Sequence, residues 1–191
     1  MSPRVPIPPQ MANLATAVSD TSEWLDKIFW DTQSYAAAGT ALLDFFQTLP
    51  ANLELGNMDL PGQIGGNRVF IIRALGVFLR TAIDADIEIL SKHGLLRLFV
   101  GNKDYSEWPI NLLPAGGGVY AHESSGVAAQ LVNLASHGVP DPRAQYTLSR
   151  PLLIPAQLNF RVRCEWPNAP AISAQTFVTV MLKGELGRNI Q

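Results

Sequence analysis

The stretch LNFRVRCEWPNAPAISAQTFVTVMLKGEL, residues 158 to 186, constrains the fold more than any other part of the chain. Leu158, Phe160, Val162 and Cys164 alternate with Asn159, Arg161, Arg163 and Glu165, the period of a strand with one buried face. Pro-Asn-Ala-Pro at 167 to 170 then turns the chain, and Phe177 to Leu182 reads as a second strand. These two strands are expected to pair as a hairpin or to cross between sheets.

The same strand chemistry recurs upstream. A strand is expected within residues 33 to 48, followed by a loop punctuated by Pro61-Gly62 and Gly65-Gly66. RVFIIRALGVFLRT, residues 68 to 81, is rich in β-branched and aromatic residues, with Gly76 near its middle as in a bent or bulged strand. LLRLFVGNKDY carries a turn at Gly101-Asn102. In all, roughly seven or eight strands are expected, the density of a sandwich or jelly roll. A parallel α/β sheet needs a regular helix between successive strands, and that pattern is missing.

One or two short helices are predicted in the connections. Ser19 or Asp20 can cap a helix, Glu23 lies at capping-box spacing from Asp20, and Trp24, Leu25, Ile28 and Phe29 form an apolar stripe. DADIEILSKHG places acids first, Lys92 and His93 last, and Gly94 as a stop, which predicts one or two helical turns. Residues 1 to 18 have four prolines among the first nine positions and are expected to be an extended arm, with residues 19 to 191 forming one domain. No run in the arm has the length of a signal peptide or a membrane span.

Composition narrows function. Of 191 residues, 47% are apolar and only 16% charged, leaving much surface uncharged, as on a protein covered by neighbours. A net charge of -2 and a single basic residue, Arg4, in the first 26 positions disfavour direct nucleic-acid binding. Cys164 alone excludes an internal disulfide and reads as a small buried residue.

Catalytic signals are thin. His93, His122 and His137 form no close pair, AHESSG lacks the strained elbow of a hydrolase, and the glycine run at 116 to 118 lacks the Lys-Ser/Thr of a phosphate loop. Asp84, Asp86 and Glu88 suit a solvated helix start better than acid/base work. Trp108 and Trp166, each followed by proline, are expected at strand ends. No enzyme activity, cofactor or metal is expected.

SRPLLIPAQLNFRVRCEWP followed by TFVTVMLKGELGRNIQ resembles the last strands of jelly-roll coat proteins of icosahedral viruses and tailless bacteriophages, and GNMDLPGQIGGNRVFIIRALGVF fits an earlier loop and strand. The resemblance implies an antiparallel β-sandwich of single jelly-roll type, with short helices in its connections and an extended N-terminal arm. It also implies a virion structural protein, made in the host cytoplasm, that self-associates into capsomers and contacts other virion proteins. The candidate assembly contacts are Val5, Ile7, Trp24, Phe29, Trp30, Arg188, Ile190 and Gln191. Since the arm is not basic, an internal membrane or another protein is expected to face the genome. The alternatives are a carbohydrate- or receptor-binding β-sandwich and a cupin-like metal enzyme.

Overall fold

The alternation at 158 to 165 becomes a strand, as its period requires, but it does not form a hairpin with the strand that follows. In the computed structural model the described residues are 22–81, 83–114, 120–124, 132–136 and 145–189. Their strands are β1 (Ser22–Tyr35), β2 (Leu42–Phe45), β3 (Val69–Leu79), β4 (Leu95–Val100) and β5 (Lys103–Pro109). These are followed by β6 (Tyr120–Ser124), β7 (Val132–Ser136), β8 (Tyr146–Ile154), β9 (Phe160–Glu165) and β10 (Thr176–Asn189). Among the described residues one helix, α1 (Asp84–His93), joins β3 to β4, and one 3-10 turn covers Ile110–Leu112.

The fold is mainly β, with two four-stranded antiparallel sheets. One has the order β1-β10-β3-β8 and the other β2-β9-β4-β5, while β6 and β7 form a separate ribbon. The pairing is nested: β1 lies against β10, β2 against β9, β3 against β8 and β4 against β5, every pair antiparallel. Two further pairings, β10 with β3 and β9 with β4, complete the sheets. β9 and β10 therefore cross between sheets.

One buried cluster draws on both sheets. Phe29, Tyr35, Phe70, Leu75, Val180 and Leu182 come from the first, and Leu96, Leu98, Phe160, Val162 and Cys164 from the second. Alternation explains the membership, because every second side chain of a strand faces the same way. Trp166, fully buried just past β9, meets Tyr35 edge-on at 5.0 Å and donates from Nε1 to Leu90 O at 2.9 Å. The Tyr35 hydroxyl donates to Pro170 O at 2.7 Å. Both aromatic polar ends are thus satisfied inside the core, as burial demands.

Several expectations need correction. Residues 22 to 35 form β1, not a helix: Leu25, Phe29 and Tyr35 fall on one face and Trp24, Ile28 and Trp30 on the other. Apolar residues on both faces of a strand mimic a helical stripe. The irregularity in β3 sits at Arg73 rather than Gly76, with the register slipping between Ile72 and Ala74 against both β10 and β8. Gly184 makes this possible, since a Cβ there would lie 1.8 Å from Ile71 O. Helix α1 is longer than expected at 10 residues. Its stop, Gly94, has an extended φ of -100°, so what selects glycine is space: a Cβ would lie 2.6 Å from Trp166 Nε1. Asp86 is not solvated but 1% exposed, its Oδ1 accepting from Ser173 N and Oγ.

The turn at Gly101-Asn102, with Gly101 at φ 59°, and the positions of Trp108 and Trp166 near strand ends match the sequence reading. The arm of residues 1 to 18, His137 and the triple-glycine loop lie outside the described residues.

Candidate assembly surface

The two sheets present different outer surfaces. On the β2-β9-β4-β5 sheet, charges neutralise each other. Arg163 holds Asp44 in a bidentate pair at 2.8 and 3.0 Å, and Arg97 contacts Asp104 and Glu165. Phe99 lies among three guanidinium groups, with that of Arg161 nearest at 4.6 Å from the ring centroid. Asp104 holds the Arg97 guanidinium above its ordinary pKa, and Asp44 does the same for Arg163. This face is self-paired.

The outer face of the β1-β10-β3-β8 sheet mixes apolar and charged side chains: Arg73 holds Glu185 in a bidentate pair at 2.8 and 2.9 Å, and Asp26 and Lys183 are exposed. Trp24 is 37% exposed and Ile28 41%. The Trp24 indole lies across Gly187, where a Cβ would come within 2.9 Å of Cη2. Beside Ile28 is a shallow depression lined also by Ala74, Gly76, Gln145, Met181 and Lys183, roomy enough for about one water molecule. Small residues on β3, Ala74 and Gly76, therefore leave a low point between the taller side chains of β1 and β10.

Edges matter as much as faces, because an unpaired strand edge is a template for another strand. The β2 edge is only four residues long. β5 carries exposed Lys103, Asp104 and Glu107 and a register break opposite Leu98/Phe99. β8 contains Pro151, which has no N–H to offer, and it too breaks register. On β1, Asn57 covers the C-terminal half: Trp30 N donates to Asn57 Oδ1 at 3.0 Å, Asn57 N to Trp30 O at 3.2 Å, and Asn57 Nδ2 to Ile28 O at 2.7 Å. A bridge between Asp31 and Gly56 extends that cover. Among the described residues nothing pairs with the outer edge of β1 before Ile28.

The candidate contacts separate on this geometry. Trp24 lies on the exposed face. Trp30 is half-buried, with its backbone held by Asn57. Phe29 faces inward, 4% exposed, and packs edge-on against Phe70 at 4.8 Å, so it is a core residue. Arg188 is half-exposed and already bound to Glu23 Oε2 at 2.8 Å across the β1/β10 pair. Val5, Ile7, Ile190 and Gln191 lie outside the described residues. The reading from sequence missed Ile28, whose place on the outer face follows only once β1 is a strand.

For the alternative chemistries, His93 is exposed at the end of α1, and His122 sits in β6 opposite Leu134. No group of three or more His, Cys, Asp or Glu stands together among the described residues. Cys164 is fully buried, and desolvation drives its thiol pKa far above the ordinary value, away from the thiolate that nucleophilic chemistry needs. No helix among the described residues is long and apolar enough to cross a membrane. No family model, curated protein or solved structure matches this chain.

Proposed function

We propose that this chain is a structural protein of a virus or phage particle, a single jelly roll that self-associates into capsomers and contacts other virion proteins. The nested strand pairing carries the reading: first with last, second with ninth, third with eighth and fourth with fifth, divided between two four-stranded sheets. That order is what a long antiparallel ribbon acquires when it is rolled into two layers, and jelly rolls recur in viral shells, lectins and cupins. Within that group, exposed Trp24 and Ile28 on β1, charge self-pairing on both sheets, and a low charged fraction of 16% favour a chain covered by copies of itself. An internal membrane or a second protein faces the genome in this reading, since a net charge of -2 supplies no footprint for nucleic acid.

The test is the mass of the purified protein across a concentration series by light scattering, with negative-stain microscopy of the heaviest fraction. Discrete oligomers or closed shells are expected. A monomer at every concentration defeats the reading.

A further inference from the structure

We infer that the open edge of β1 pairs with the same edge of a second copy, antiparallel about a two-fold axis through Leu25, joining two four-stranded sheets into one. This deepens the assembly reading and rests on it in one respect: copies of the chain must meet. The partner is identified by the edge itself.

The Asn57 hydrogen bonds fix which backbone groups point outward. Trp30 directs both N–H and C=O to Asn57, away from β10. In an antiparallel pair these directions repeat every second residue, so Ile28, Asp26, Trp24 and Ser22 also aim their backbone groups away from β10. Asn57 and Gly56 block the edge beyond Ile28, leaving a stretch from 22 to 28 of about 23 Å. The centre of that stretch is Leu25.

Charge selects the same register. With Leu25 opposite its symmetry mate, Glu23 faces Lys27 of the second copy twice over, and Trp24 lies beside Asp26. Moving the axis to Asp26 would oppose two carboxylates, and moving it to Lys27 would oppose two ammonium groups, both unfavourable in cross-strand pairs. The Leu25 register also uses the open stretch, forming about six ladder hydrogen bonds with Ile28 O already held by Asn57, and stops where Asn57 begins. The other three edges of the two four-stranded sheets are blunted by shortness, charge or proline, so of these four edges it is the one open to a partner strand.

Leu25 would form a non-hydrogen-bonded pair with its mate, Cα atoms about 4.5 Å apart, within the range a disulfide spans. The natural Cys164 is buried and does not compete. Full-length Leu25→Cys, Trp24→Cys and Asp26→Cys proteins are oxidised mildly and run on a non-reducing gel beside light scattering of the unlinked proteins. Leu25→Cys is expected to form a covalent dimer and the other two to stay single. Adding Asp26→Pro to Leu25→Cys removes a donor aimed at the partner while sparing the bonds to β10, and abolishes linking with the circular dichroism spectrum kept. Should Leu25→Cys impair folding, an equimolar mixture of Glu23→Cys and Lys27→Cys chains reads the same register as a heterodimer.

Equal linking at all three positions, or none at Leu25 and in the mixture, overturns the pairing. That includes the case in which residues 1 to 21 occupy the edge. Unlinked Leu25→Cys with intact particles sinks the pairing and leaves the assembly reading standing. Linked Leu25→Cys in a chain that never exceeds a dimer keeps the pairing and sinks the particle reading.

Discussion

Replacing Gly184 with alanine should loosen the sheet at its centre. The added Cβ would lie 1.8 Å from Ile71 O, and real Cβ contacts essentially never fall below 3.0 Å, so β3 and β10 must part locally by roughly 1.2 Å. An N–H···O distance near 2.9 Å cannot absorb that and remain a hydrogen bond. Two or three ladder bonds around the bulge are weakened, at about 1 kcal/mol each. Leu182 and Leu186, flanking Gly184 in the core, lose packing as well. The expected loss is about 3 kcal/mol or more, equivalent to a melting-point drop of roughly 6 to 12 °C for a domain of this size. Gly66→Ala is the control: φ there is 67° and nothing lies within 4 Å, so only left-handed strain of about 1 to 2 kcal/mol is incurred. Thermal unfolding followed by circular dichroism measures both. A Gly184→Ala protein that melts within about 2 °C of the parent would refute the steric account of the bulge.

Asp31 makes stability depend on pH. Burial raises its pKa above the ordinary 3.8, outweighing hydrogen bonds from Phe46 N, Gln33 Nε2 and Thr32 N. The native state therefore holds the proton to higher pH than the unfolded chain. This stabilising contribution is full below the unfolded pKa and is lost as pH rises through the folded one. Urea midpoints taken upward from pH 4 should show a decline that Asp31→Asn flattens. Trp166→Phe leaves Leu90 O without its indole donor and opens space beside Gly94, costing about 2 to 3 kcal/mol in urea unfolding. Cys164 should resist a thiol reagent in the native protein and react at once in denaturant.

Local signals were legible in the sequence and relations between distant residues were not. The alternation of β9, the stop after α1 and the turn between β4 and β5 each depend on fewer than about a dozen neighbouring residues, the range over which periodicity and turn chemistry act. β1 was misread because its apolar residues serve two surfaces, Phe29 the core and Ile28 the outside, which spoils the one-sided pattern of a strand. The nested order could not be read, since Ser22 opposite Asn189 is a pairing across nearly the whole described chain. Trp24 and Trp30 were visible as candidate contacts by residue type. That Asn57 closes one half of their strand and leaves the other open is set by a loop some 27 residues away from Trp30.

The position of β10 between β1 and β3 has a consequence for how the protein is made. Strands emerge from the ribosome in order, so β1 and β3 are present while the strand that must lie between them is still being synthesised. Until β10 arrives the first sheet has a gap at its centre, and Phe29, Phe70 and Leu75 lack the strand that packs beside them. Closure across so many residues is slow. The nascent chain must be kept from its neighbours during that interval.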